Sequence, residues 1–425
     1  MRVVLAAIGS RGDIEPMVAL ALGLRDRGHA VEICGSPNGR WLAARESIPF
    51  VDVGVDLKEF ARANARLLVD RPGDAARAAA RLIEGVLSAQ IDTLPERVAG
   101  ADLLVGSSVT AGAESVAEAY GVPFRMVLFT PQMLPSREHP PASVAQHRLP
   151  GWLNRLCWWA TETSLDLLVK RALGRHRQRL GLGPSVRSVY QTFWPAERTV
   201  IASEPQLAPV PGDTVQAPQT GALFLDRPEA LSDETERFLA AGPPPVYVGF
   251  GSMPASDPEA TTALILAACR AARARAVISG GWADLGRGVQ SDDVLVIGSE
   301  PHERLFPRLA AVVHHGGAGT TAAAFRAGTP QLVVPHLFDQ FYWGDRVRRA
   351  GLGPRPIRRG RLTVAGLARA IDELRAGAYR QRAREACKRR TRRPVAAAAR
   401  ELLSAARSAA AGSVLHGGRW RAVII

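Results

Sequence analysis

Two stretches of this chain open in the same way. A short apolar run breaks into a glycine–serine turn, first at Val3–Ala7 before Gly9-Ser10 and again at Val246–Phe250 before Gly251-Ser252. Behind each opening, strand-like runs alternate with helical patterns. They fall at Val31–Ile33, Phe50–Val53, Leu103–Val105 and Phe124–Leu128 in the first half. In the second they fall at Ala276–Ser279, Val294–Ile297, Ala311–His314 and Leu332–Val334. Strands alternating with helices predict parallel sheets covered on both faces. The fold class is therefore α/β, with two doubly wound, Rossmann-like halves facing each other. Ligands of such sheets bind beyond the carboxyl ends of the strands, which predicts a cleft between the halves.

Local punctuation refines the division. Pro16 is read as the start of the first helix and Arg27-Gly28 as its end, the usual proline and glycine asymmetry. Residues 130–160 are rich in Pro, His and Trp, and a helical run follows to about Leu180. Such an insert in an α/β half usually carries ligand contacts. Proline and glycine between Pro205 and Pro218 mark a linker. Late helices are predicted at Val364–Arg375 and Val395–Ser408. The expected domains are 1–204, a linker region 205–241, a second half at 242–390, and a C-terminal helix and tail at 391–425 that can pack back on the first half.

Composition excludes several classes. The 425 residues are 47% hydrophobic and 22% charged, the balance of a globular chain. No run of eighteen apolar residues is present to span a bilayer, and the N-terminus reads as a first strand rather than a signal peptide. Cys34, Cys157, Cys269 and Cys387 are scattered, without metal spacing, so reduced thiols and a cytoplasmic location are expected. The net charge of +14 is concentrated between Arg346 and Arg393. No aromatics interleave with those arginines as a nucleic-acid stacking platform requires, so a solvated helical surface is expected and no nucleic-acid partner.

Three motifs carry the chemistry. His314-His315-Gly316-Gly317-Ala318-Gly319-Thr320-Thr321 follows a strand and opens a helix. Glycines there admit an anion close to the backbone, and the amides and dipole of the helix start hold a phosphate. Asp339-Gln340 lies at a later strand end, where a carboxylate beside an amide suits sugar hydroxyls, although such a pair is also a common helix cap. Gly9-Ser10-Arg11-Gly12-Asp13-Ile14-Glu15-Pro16 ends the first strand of the other half. Asp13 there reads either as a helix cap or as a general base facing the cleft, with Glu15 as a competing candidate that, one residue before Pro16, is expected to face the helix start.

With GSRGDIEP near the start, VYVGFGSMP at 246–254, VHHGGAGTT at 313–321 and HLFDQ at 336–340, the chain resembles the family-one nucleotide-sugar glycosyltransferases of the GT-B fold, in the bacterial vancomycin-type and sterol glucosyltransferase-like branches. The resemblance implies an inverting, metal-independent transfer with no cofactor, the donor in the C-terminal domain and the acceptor in the N-terminal one. It implies that His314 contacts the donor diphosphate, with His315 as alternate, helped by Ser252, Gly317, Ala318, Gly319, Thr320 and Arg11. It assigns the sugar hydroxyls to Asp339 and Gln340 and the base role to Asp13. The plant relatives' base-stacking tryptophan has no match in Gly298–His302, and Ala322 replaces their ribose-binding glutamate. The nucleoside then falls to Ser299 and His302, and the donor is a dTDP- or UDP-sugar.

Trp152 and Trp158 are read equally as core or as an apolar acceptor pocket. A polyketide, macrolide or aromatic acceptor is expected. A sterol or lipid glycosyltransferase working at a membrane surface, a sugar-nucleotide epimerase, and a non-catalytic sugar-nucleotide- or nucleic-acid-binding protein stay as alternatives. Oligomeric state is not legible in the sequence.

Overall fold

Hydrophobic alternation along the first strand sets the architecture of the N-terminal half. Val3, Leu5 and Ala7 of β1 (Arg2–Ala7) enter one core, and Val4 and Ala6 enter the other, so both sheet faces are buried. The computed structural model describes residues 1–425 apart from 55, 57–71, 108–109, 186, 226–228, 254–256 and 416–425. Pro254 of the second motif, three linker residues and the extreme tail lie outside the described residues.

The first sheet adds β2 (Ala30–Gly35), β3 (Phe50–Asp52), β4 (Leu103–Ser107), β5 (Phe124–Leu128) and β6 (Thr199–Ile201). All pair in parallel in the order β3-β2-β1-β4-β5-β6. The second sheet holds β7 (Val246–Gly249), β8 (Ala276–Ser279), β9 (Val294–Ile297), β10 (Ala311–His314) and β11 (Gln331–Val333), parallel in the order β11-β10-β7-β8-β9. The winding is the same in both. The first strand of each half is central, the next two lie on one side of it, and the fourth and fifth lie on the other. Each half therefore has a switch point beside its first strand, where ligand crevices form. The register opposes His314 to Gly249, which brings the turns after β7 and β10 together.

Two sequence expectations change. The first helix, α1 (Arg11–Arg25), begins five residues before Pro16, which lies inside it. A capping box outweighs the proline signal. Ser10 is the N-cap, and Asp13 at the third helical position accepts the Ser10 N–H at 2.9 Å. Strand β6 was not anticipated, because three residues offer no period to read.

The last helix, α5 (Pro394–Leu415), returns to the first domain. Its Ala398, Ala399, Leu402 and Leu403 lie in the same core as Met17, Leu20 and Leu24 of α1. The chain thus crosses between domains twice. The crossings are adjacent, since the Thr391 N–H donates to Glu204 Oε2 at 3.1 Å.

Part of the arginine block ties elements together. Arg346 Nε donates to Leu207 O at 2.9 Å, Arg375 to Ala272 O at 2.7 Å, and Arg348 and Arg349 pair with Asp345. Arg346 and Arg375 thus hold carbonyls of other elements, while most of the block, including Arg389, Arg392 and Arg393, is exposed as a solvated surface.

Candidate functional site

The carboxyl ends of both sheets face one cleft of about 2250 Å³. Its walls include Arg11 and Asp13 after β1, Ser252 after β7, Ser299 and His302 after β9, His315 and Gly317–Thr320 after β10, and Asp339-Gln340 after β11. The repeated winding explains why residues more than three hundred positions apart meet: every one lies just past a strand end.

The helix α3 (Ala318–Arg326) starts at Gly317, and no side chain caps it. Its first-turn amides face the cleft without an internal acceptor, the arrangement that receives phosphate. The adjacent histidines divide into two roles. His314 is fully buried; its Nε2 pairs with Gln331 Oε1 at 2.8 Å, and its Nδ1 accepts the Gly316 N–H at 3.1 Å. Those two bonds define a neutral ring committed to the loop. His314 is absent from the cleft wall, a correction to its assignment as the diphosphate contact.

His315 is the histidine that faces the cleft, with a buried Nδ1 that has no hydrogen-bond partner. Glycines bracket its ring: a Cβ on Gly251 would meet Cε1 at 2.9 Å, and one on Gly317 would meet Nε2 at 2.5 Å. Burial, with His314, His336 and His302 nearby, pushes His315 down to about 3. The neutral ring therefore has an unpaired polar atom where an anion would restore its charge.

Asp339 immediately precedes α4 (Gln340–Arg349) and accepts the Trp343 indole N–H at 3.0 Å. Burial deep in the cleft, with the Asp13 charge opposite, pushes its carboxyl up to about 7. Gln340 is engaged internally. Its Oε1 accepts the N–H groups of His336 and Leu337 at 2.8 and 3.2 Å, and its Nε2 donates to Met253 Sδ. It holds the loop that presents Asp339, leaving only a weak sulfur contact on its donor side.

Across the cleft, Asp13 Oδ2 accepts both the N–H and the hydroxyl of Ser10. Gly9 is required by that packing, because a Cβ there would lie 2.2 Å from Asp13 Oδ2. Arg11 pairs with Glu15 at 2.7 Å and spans the domains, its Nη1 donating to Ser299 Oγ at 2.7 Å. His302 stacks on Phe306 at 4.2 Å with its edge to Tyr247.

Neither tryptophan offered for an acceptor pocket lines the cleft. Trp158 is core, its indole N–H bound to His139 O at 3.0 Å, and Trp152 is 69% exposed on the outside of α2 (Gly151–Arg179). The tryptophans that do line the cleft are Trp41, Trp194 and Trp282, with Phe338, Arg359 and Arg390. Only Phe338 carried a signal, as the neighbour of Asp339; it is exposed and held at φ +51°, a strained backbone for an aromatic residue. Among the described residues no group of three or more His, Cys, Asp or Glu side chains is set to hold a metal.

Comparisons with known proteins agree with this fold. Residues 3–136 match the Glycosyltransferase family 28 N-terminal domain, and residues 285–404 match the C-terminal domain of Erythromycin biosynthesis protein CIII-like proteins. The chain is 37% identical over 360 residues to vancomycin aglycone glucosyltransferase of Amycolatopsis orientalis, covering 83% of this chain and 85% of that one. It is 35% identical over 395 residues to dTDP-epi-vancosaminyltransferase of the same organism, covering 90% and 92%. The crystal structure of glycosyltransferase VinC with dTDP superposes with a TM-score of 0.65 over 96% of this chain and 100% of that one, at 21% identity. Two parallel Rossmann-like domains, a shared cleft and this degree of kinship lead to one conclusion: the chain belongs to the nucleotide-sugar-dependent glycosyltransferases of the GT-B fold, in the vancomycin-type branch.

Proposed function

We propose that the protein moves a hexose from a dTDP- or UDP-sugar to a hydroxyl of an apolar natural-product acceptor, with inversion at the anomeric carbon. The observation that carries this reading is the opposition of Asp13, from one domain, to the uncapped start of α3 and His315, from the other, across a single cleft.

Asp13 takes the proton of the acceptor hydroxyl as that oxygen attacks the anomeric carbon. The bond to the diphosphate breaks on the opposite face, and the charge that develops meets the amides of Gly317–Thr320, the hydroxyls of Ser252 and Thr320, and the His315 ring. Such prearranged donors act most strongly where charge grows in the transition state. Arg11 exchanges its Ser299 partner for the donor phosphates. Asp339 orients the sugar hydroxyls, with Gln340 Nε2 exchanging the Met253 sulfur for a sugar oxygen, and Ser299 and His302 flank the nucleoside. No step is routed through a metal.

The kinship to vancomycin aglycone glucosyltransferase supports a natural-product acceptor, and the cleft tryptophans of the first domain, Trp41 and Trp194, supply apolar surface for it. A thermal-shift panel of dTDP- and UDP-sugars tests the donor, followed by mass spectrometry of apolar acceptors incubated with the stabilising donor. Turnover of very polar acceptors alone would remove the acceptor assignment.

A further inference from the structure

The long helix of the insert presents apolar surface on two sides. Its inner side is fixed by Trp158 in the core, by Asn154 Nδ2 donating to Arg137 O at 2.7 Å, and by Arg177 paired with Glu118. Its outer side is not polar, as a solvent-facing helix would be. Trp152, Leu156, Trp159 and Leu167 are 69%, 49%, 64% and 80% exposed. Their spacing of four, three and eight residues puts them on one stripe of a helix. Leu168, at 61% exposed, flanks it.

We infer that this stripe seats the protein on an anionic lipid surface, with α2 lying along the membrane interface. Charge selects the partner. The exposed charged residues of α2 are Arg155, Lys170, Arg171, Arg175 and Arg179, all cationic; Arg175 and Arg179 pair with Glu84 and Asp92 of a neighbouring helix, which leaves Arg155, Lys170 and Arg171 beside the stripe, whereas the acidic residues Glu162 and Asp166 are partly covered. Tryptophan and leucine on a face bordered by lysine and arginine is the pattern of interfacial helices. Tryptophan prefers the depth of lipid headgroups, and each basic side chain near an anionic surface adds attraction.

Size argues against a protein partner. From Trp152 to Leu167 the stripe is one ridge about 22 Å long at helical rise. A stable protein interface needs roughly 800 Å² on each side. A lipid surface needs only a ridge to insert. The helix lies on the membrane rather than through it, since no described helix is long and apolar enough to span.

Position relates the docking to the cleft. Thr161 of α2 shares a hydrogen bond of 3.2 Å with Ser143, and the neighbouring Ala142 lines the cleft. That contact is made by the face of α2 opposite the stripe, so a membrane held against the stripe is one helix thickness from a segment of the cleft wall. The inference stands on the helix surface alone and does not depend on the donor or acceptor assigned above.

The test is co-sedimentation of the full chain with phosphatidylcholine vesicles, with and without one quarter phosphatidylglycerol, at low and high salt. The expected result is binding to the anionic vesicles, weakened by salt, with a blue shift of tryptophan emission. Trp152→Ser, Leu156→Ser and Trp159→Ser together should lower vesicle partition by at least about tenfold. Arg155→Gln, Lys170→Gln and Arg171→Gln together should flatten the salt dependence. Both triple variants should keep the donor-induced thermal shift and turnover of a water-soluble acceptor. Absence of vesicle binding overturns the inference, as does binding that survives the stripe variant or that is lost only on replacing Arg389, Arg392 and Arg393. A wild-type dimer that the stripe variant converts to monomer, without vesicle binding, would assign the surface to a second copy and equally overturn it.

Discussion

Asp13 of the first domain lies close enough to Asp339 of the second for its charge to oppose Asp339 ionisation across the cleft. The raised Asp339 carboxyl contributes stability that is present below the ordinary carboxylate range and is lost as pH rises through about 7. The buried histidines act oppositely. Burial holds His139, His147, His314 and His336 down to about 4 and His315 to about 3, so their contribution is present above about 6.5 and is lost as pH falls toward 4. The free protein should therefore lose stability steeply on acidification from pH 6.5, by up to about 1.4 kcal/mol per pH unit for each proton taken up on unfolding. Asp339→Asn removes the opposing contribution and should steepen that fall. Melting curves at half-unit pH steps check this; parallel curves for the two proteins would show that Asp339 ionises normally.

Asp13→Asn should lower turnover on the order of 10²–10⁴-fold while donor affinity changes little, since a general base acts on the acceptor. The asparagine oxygen can still accept the Ser10 N–H, so the helix start should survive. Gly9→Ala is a second route to the same carboxylate. The new Cβ would strike Asp13 Oδ2, and turnover should fall although no titratable group is removed. Single-turnover rates with saturating donor separate chemistry from binding; a wild-type rate in Asp13→Asn ends the base assignment.

The paired histidines should respond in opposite ways. His315→Ala should weaken binding of the donor diphosphate by roughly tenfold or more, the loss of one charge-assisted hydrogen bond, with little change in melting temperature. His314→Ala should unfold more easily by about 2–3 kcal/mol, because Gln331 Oε1 and the Gly316 N–H are left buried without partners. Calorimetric titration with dTDP or UDP, set beside thermal melts, reads both. An equal loss of affinity in the two variants would put both rings on the diphosphate.

Exhaustive chelation should leave the initial rate unchanged with either donor, because the leaving diphosphate is received by backbone amides and His315. A rate that falls with EDTA and returns with magnesium would give that task to a cation.

Apart from β6, strand positions were readable because the central strands are apolar runs buried on both faces, and the two halves use the same winding. The glycine loop and Asp339-Gln340 were readable because they are contiguous and follow a strand. What was hidden depends on packing across long separations. Nothing in His314-His315 says which ring turns inward; that follows from Gln331, seventeen residues on. Nothing local separates Trp158, held by a carbonyl in the core, from Trp152 and Trp159 on the outside, because α2 is apolar on opposite sides and has no single periodic face. The start of α1 was misplaced for a related reason: a proline is conspicuous, whereas a serine and an aspartate closing a box show their value only in three dimensions.

The return of α5 into the first domain, alongside the Glu204–Thr391 contact, makes the joint between the lobes double-stranded. Opening must then be a rotation about a paired seam, which limits how far the lobes can part and keeps them aligned for reclosure. It also orders synthesis: the amino-terminal lobe lacks part of its interior until α5 has left the ribosome, so removing α5 should damage the lobe that was made first.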